Sequence, residues 1–248
     1  MGQTEFHFIL RPGQGAWFED TNWWVVRDAG QPGLPQADAA RASLCQTYWY
    51  PIYCYVRRMG QGHEDAQDLT QEFFARLLEK NYVQAAAAEK GKFRSYLLMM
   101  LKRFLADQSD RAQRQKRGGG IALIALDAED TEFRYRQEPA DDLSPDKLFD
   151  RAWARSLLRR ALERLEQEWS AAGKTASFQE LKPHITCESD NSCAAVAEKL
   201  GMTVNHLKIT VHRLRQRYGQ LLRREIAQTA ATAEAIEEEL RDLHAALN

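Results

Sequence analysis

The stretch CAAVAEKLGMTVNHLKITVHRLRQR, residues 193–217, carries the most specific local pattern in the chain. Val196, Ala197 and Leu200 supply the inner face of a short first helix. Gly201 follows where the chain must turn sharply and can adopt a positive φ. Thr203 is a natural N-cap for a second helix. The glycine, the cap and the basic residues beyond them together predict a helix-turn-helix rather than an ordinary pair of packed helices.

The second helix of this motif has one apolar and one polar face. Leu207, Val211, Leu214 and Tyr218 recur at helical spacing and predict the face that packs on the first helix, with Val204 beginning the same row. The other face carries amide, imidazole and cationic groups, the residue types that read bases and bind phosphates in a major groove. The predicted DNA-binding residues of this motif are Thr203, Asn205, His206, Lys208, His212, Arg213 and Arg217.

Outward from this motif the apolar spacing stays helical, and alternation of period two is almost absent, so the chain is predicted to be all-α. Helices are expected over residues 36–59, 64–80 and 93–107, and Ser144 followed by Pro145 predicts the start of another. The predicted architecture is two small helical domains, 36–117 and 149–227, joined by an extended acidic linker, 118–148. An irregular segment, 1–35, and an acidic helical tail, 228–248, flank them.

The net formal charge is −1, so the distribution of charge is more informative than its sum. Residues 90–117 hold nine basic side chains against two acidic ones, and residues 196–224 hold seven against one. One basic segment in each predicted domain indicates two separate contacts with nucleic acid. Residues 127–150, in contrast, hold nine acidic side chains against three basic ones.

Several classes of protein are excluded by composition. No apolar run approaches the ~20 residues that a membrane helix needs, and the N-terminus has no secretory pattern, so a cytoplasmic protein without membrane contact is expected. His184, Cys187 and Cys193 match no common zinc spacing, and no metal or other cofactor is predicted. Asp65, Asp68 and Glu72 could bind a metal in a hydrolase, but no paired histidine motif accompanies them, so an enzyme is not expected.

Four motifs together resemble the sigma factors of bacterial RNA polymerase, of the extracytoplasmic-function type. They are YWYPIY at 48–53, DAQDLTQEFFARL at 65–77, FRSYL with LKRFLAD at 93–107, and the helix-turn-helix. The resemblance covers residues 40–117 and 150–226. It implies a transcription initiation factor that binds core polymerase and directs it to specific promoters.

The resemblance also assigns roles to residues. The second motif is similar to the segment that binds the clamp helices of the polymerase's largest subunit, which implies a polymerase-binding set of Asp65, Asp68, Gln71, Glu72 and Arg76. The third resembles the helix that recognises and melts the minus-ten element. The implied DNA-binding residues there are Lys102, Arg103, Gln108, Arg111, Arg114, Lys116 and Arg117. The helix-turn-helix would read the minus-thirty-five element and lie at the flap of the second-largest subunit.

Some features depart from the family pattern, and one alternative function stays open. Residues 1–35 and 169–189 exceed the minimal pattern, and Cys193 and Ala195 stand where many members carry an aromatic residue and a glutamate. An anti-sigma factor is a further candidate partner, and the acidic tail is a candidate autoinhibitor. The alternative is a free-standing helix-turn-helix regulator, which would explain the second domain but leave the first basic helix and the acidic helix without a function.

Overall fold

The computed structural model describes residues 24–31, 35–79, 82–85, 91–112, 128–138, 143–186 and 193–248. Within these ranges the regular structure is entirely helical, which confirms the all-α prediction. The helices are α1 (Trp24–Ala29), α2 (Ala37–Arg58), α3 (His63–Glu79), α4 (Tyr82–Ala85), α5 (Phe93–Ala112), α6 (Ala128–Arg136), α7 (Pro145–Ala171), α8 (Thr175–Leu181), α9 (Pro183–Thr186), α10 (Cys193–Lys199), α11 (Val204–Ala227) and α12 (Ala233–Leu247).

The start of the long helix α7 follows from its first residues. Ser144 has an extended backbone, and its side chain accepts a hydrogen bond from the backbone N–H of Lys147 at 3.3 Å. Pro145 takes the first helical position, where its missing N–H costs nothing. The predicted start at Ser144 and Pro145 is therefore confirmed, and the predicted linker end at 148 falls within the first turn of α7.

The helices before residue 118 (the first half) and the helices from α7 onward (the second half) pack against each other through α2 and α7. Ile52 and Val56 of α2 and Phe149, Trp153 and Leu157 of α7 are all 3% exposed or less and belong to one hydrophobic cluster. Burying side chains of this size contributes about 1.5–3 kcal/mol each. In this arrangement the first and second halves therefore share a core, while the domain boundaries stay a prediction.

Polar side chains reinforce this junction. Arg160 of α7 donates to Glu225 of α11 at 2.8 Å, and it also donates to Gln46 and Ser43 of α2. Ser43 in turn donates to Gln228 at 2.9 Å. One guanidinium therefore links three helices from both halves.

The acidic linker differs from the extended segment that was predicted. Its described part forms α6, and Thr131 and Glu132 are buried. Glu132 accepts hydrogen bonds from Tyr53 and Arg57 of α2, and Glu138 accepts one from Tyr50. The prediction was wrong for residues 128–138 because two of their carboxylates are paired within the fold, Glu132 with Arg57 of α2 and Glu138 with Arg155 of α7.

Both flanking segments contain packed helices. Val25 and Val26 of α1 are fully buried and α1 packs on α2, whereas Trp17 and Trp23 lie outside the described residues. At the other end α12 buries Ile236, Leu240 and Leu243 and packs on α7 and α11. The tail is thus part of the folded body.

Candidate functional site

The acidic surface of α3 is held in place by the opposite face of the same helix. Ala66, Phe73 and Leu77 are buried, and they orient α3 so that Asp65 and Asp68 are exposed. Thr70 is also buried and donates its hydroxyl hydrogen to the Ala66 carbonyl at 2.6 Å, which satisfies it locally. The carboxylates of Asp65 and Asp68 are therefore solvent-exposed and accessible to a cationic partner.

The remaining predicted polymerase-binding residues make contacts within the chain. Glu72 accepts hydrogen bonds from Arg76, one turn later, and from Gln108 of α5. Arg76 also stacks on the Phe104 ring at 5.0 Å from its centroid. Gln71 is half-buried. Glu72 consequently joins α3 to α5, and Gln108, predicted to contact DNA, is committed to this carboxylate in the structure.

Helix α5 buries Phe93, Leu97 and Leu101 and exposes Lys102 and Arg103. The Lys102 ammonium donates to Asp146 at the start of α7, and this hydrogen bond raises the pKa of Lys102. Both side chains of the pair are close to half exposed. The cation predicted to contact the minus-ten element therefore already has an anionic partner within the chain.

The other members of the α5 set are not described in full. Arg111 lies in α5, but its side chain is outside the described residues, as are Arg114, Lys116 and Arg117 entirely. They stay predictions.

Arg94 is counted in a basic segment of the sequence but does not belong to an exposed basic surface. It belongs to the first basic segment, yet it is only 8% exposed and donates to Glu239, Asp242 and Asp150. Its guanidinium also lies 4.6 Å from the centroid of the Trp153 ring. This cation holds α5, α7 and α12 together and is withdrawn from any nucleic acid. No sequence pattern could have identified it, since its partners are 56–148 residues away.

Helices α10 and α11 are connected by a tight turn at Gly201, whose φ is +65°. The N–H of Met202 donates to the Ala197 carbonyl at 2.9 Å, and Ala197 is buried at 2% exposure, as expected where two helices cross closely. The Thr203 hydroxyl accepts from the N–H of His206 at 3.2 Å. Thr203 is therefore the N-cap of α11, and its hydroxyl oxygen is already occupied by a hydrogen bond within that helix.

The predicted base-reading residues share the exposed side of α11. Asn205, His206, Lys208, His212 and Arg213 are all exposed, while Leu207, Leu214 and Tyr218 are buried on the other side. Val204, expected in the apolar row, is 40% exposed instead.

Two arginines further along α11 are engaged by the chain itself. Arg217 donates to both carboxylate oxygens of Glu168 in α7, at 2.6 and 2.9 Å, and this contact raises the pKa of Arg217. Arg215 donates twice to the His184 carbonyl. Arg217 is thus held in an ion pair within the chain, although the sequence spacing placed it beside Arg213 among the predicted DNA-binding residues.

Two further observations bear on the classes considered from sequence. In the part of the chain that the structure describes, no three Cys, His, Asp or Glu side chains are grouped as a metal site would require, and Cys187 lies outside that part. No described helix is both long and apolar enough to cross a bilayer.

Comparison with known proteins decides the family. The model of the family described as "ECF sigma factor" matches residues 37–182, more than half of the chain, and this span runs from the start of α2 to the end of α8. The chain belongs to the ECF sigma factor family. It is a transcription initiation factor that acts with RNA polymerase on promoter DNA.

A relative agrees with this assignment. The ECF sigma factor chain is 24% identical over 227 residues to the ECF RNA polymerase sigma factor SigE of Mycolicibacterium smegmatis, a match that covers 87% of this chain and 77% of the relative. No solved structure matches the chain. The family match includes α3 and α5, so both helices lie in the part of this sigma factor that resembles other members.

Proposed function

We propose that this sigma factor uses three separate surfaces during initiation. The exposed acidic side of α3 binds the clamp helices of the polymerase's largest subunit, α5 recognises and melts the minus-ten element, and α11 reads the minus-thirty-five element. The observation that carries the proposal is the segregation of charge. Asp65 and Asp68 are exposed on α3, Lys102 and Arg103 on α5, and a polar and cationic row on α11.

The charges fit these partners physically. Carboxylates repel DNA phosphates and attract a basic protein surface, so α3 and α5 suit different partners although they are neighbours. Exposed cations on α5 and α11 would release counterions from the DNA backbone, which makes affinity depend strongly on salt. Asparagine, histidine and arginine on α11 have the donors and acceptors needed to read base edges.

The domain division predicted from sequence belongs to this proposal. Residues 36–117 would form the clamp and minus-ten unit, and residues 149–227 the minus-thirty-five unit, which would also lie at the flap of the second-largest subunit. Reaching two promoter elements requires the two units to separate, whereas α2 and α7 are packed together in this structure. Polymerase binding would supply the free energy for opening, and an anti-sigma factor would act by stabilising the closed arrangement. The protein would act in the cytoplasm, where polymerase works, and it would not itself catalyse a reaction.

The test is co-migration of the full-length protein with bacterial core RNA polymerase on gel filtration, followed by run-off transcription. A stoichiometric complex that starts transcripts at defined sites supports the proposal. A protein that binds specific DNA as a dimer, without polymerase and without giving transcripts, would instead be the free-standing regulator, since such regulators read paired half-sites.

A further inference from the structure

An aliphatic side chain lies at the centre of the exposed side of α11. Ile209 is 45% exposed. Residues three and four positions away are the nearest neighbours on a helix surface, and for Ile209 these are Asn205, His206, His212 and Arg213. All four are exposed and polar. Ile209 is therefore surrounded by the residues proposed to read bases.

The packing of α11 gives this side chain no structural role. Among the described residues, Ile209 belongs neither to the hydrophobic core nor to the partly buried side chains packed against it, whereas Val211, two positions later, is one of the latter. A β-branched residue also favours a helix less than alanine, lysine or glutamate would at an exposed position. Neither packing nor helix formation accounts for isoleucine at this position.

The chemistry of the major groove offers a ligand for it. Thymine alone among the four bases presents a methyl group there, and apolar side chains recognise that methyl by direct contact. A branched aliphatic side chain between polar groups can cover the methyl and exclude water while its neighbours bind adjacent base edges or phosphates.

We propose that Ile209 contacts the C5-methyl of a thymine in the DNA that α11 reads, and so determines specificity at that base pair. The inference rests on the proposed function, namely that α11 enters a major groove. The expected contribution is small but measurable, because burying one methyl group changes affinity by about fourfold.

The experiment uses full-length protein bound to core polymerase and a promoter duplex selected from a randomised library with that complex. Each thymine in the upstream element is replaced in turn by uracil, which pairs identically but lacks the methyl. At one position, wild type should lose about fourfold in affinity. Ile209→Ala should bind the thymine and uracil duplexes equally there, and Ile209→Val should keep part of the discrimination. The fold of each variant is checked by thermal unfolding.

Val204→Ala is the matched control, because it removes an aliphatic side chain of similar exposure from the first turn, away from the Ile209 row. Its ratio of thymine to uracil affinity should equal that of wild type. If Ile209→Ala keeps the wild-type ratio at every thymine while Arg213→Ala weakens binding, the Ile209 proposal is overturned and the groove assignment stands. If neither Ile209→Ala nor Arg213→Ala changes binding, both are overturned.

Discussion

Arg94 of α5 and Glu239 of α12 form an ion pair of 2.8 Å between Nε and Oε2, across 145 residues of sequence. Both side chains are at most one-tenth exposed. The acidic tail is thereby attached to the first basic segment, and its Glu237 also pairs with Arg223 near the end of α11 at 3.4 Å. The candidate autoinhibitory contact lies at the junction of the two halves.

Removing Arg94 should destabilise the protein strongly. Arg94→Ala would leave Glu239 buried without its cation, whereas Glu239→Ala leaves Arg94 with Asp150 and Asp242 as partners. A loss of about 3–5 kcal/mol in the free energy of unfolding is expected for Arg94→Ala and a smaller loss for Glu239→Ala, measured by urea denaturation. Arg241→Ala, at an exposed position of α12, is the control and should fall within about 0.5 kcal/mol of wild type. Equal stability of Glu239→Ala and Arg241→Ala would contradict the role given to the pair.

Release of Lys102 should raise promoter affinity. Asp146→Ala removes the carboxylate that holds the Lys102 ammonium, and exposed ion pairs of this kind contribute up to about 1 kcal/mol. A gain of about twofold to fivefold in promoter binding by the polymerase complex is expected at low salt, and it should shrink as salt rises. Glu163→Ala, which removes an exposed acid from the same helix, should leave affinity unchanged. An unchanged affinity for Asp146→Ala would mean that the pair does not compete with DNA.

Acidification should loosen the linker helix α6. Burial disfavours the charged form of Glu132, but hydrogen bonds from Tyr53, Arg136 and Arg57 outweigh it and hold the pKa of Glu132 below its ordinary 4.5. Because the folded pKa is depressed, the stabilisation is fully present above about pH 4.5 and is lost as the pH falls through the folded value. The Nδ1 atom of His63 lies 3.5 Å from the same carboxylate.

The measurement is the difference in free energy of unfolding between wild type and Glu132→Gln, taken from pH 7 down to pH 3. Wild type should be the more stable form at neutral pH, and the difference should shrink below pH 4.5. Glu198→Gln makes the same chemical change at an exposed position of α10, and a smaller dependence is expected for it. A difference that stays constant down to pH 3 would rule out ionised Glu132 as the anchor of α6.

Local signals explain which features could be predicted from the sequence. Ser144 and Thr203 were identified as caps because a cap depends on residues two or three positions away, and both accept the expected hydrogen bond. Gly201 was identified for the same reason. The environments of Arg94 and Glu132 could not be predicted, since Arg94 and, apart from the local Arg136, Glu132 are paired with residues distant in sequence. The packing of α2 on α7 depends on tertiary contacts in the same way.

The structure also changes which residue best tests the polymerase surface. Asp68 and Glu72 were equivalent in the sequence motif, but Glu72 holds Arg76 and Gln108, so its replacement would disturb α3 and α5 as well as any partner. Asp68 is exposed and is the cleaner probe.

Asp68→Arg should abolish co-migration with core polymerase while leaving the thermal unfolding midpoint unchanged, because it reverses a charge that faces water. Glu163→Arg makes the same change in net charge at an exposed position of α7, where it gives up only a surface ion pair of 3.7 Å with Arg159, and it should bind polymerase normally. The comparison of the two variants separates the effect of the position of the charge from the effect of the net charge. Normal binding by Asp68→Arg would refute the assignment of α3 to the clamp helices, and loss of binding by both variants would show that overall charge, and not this surface, governs association.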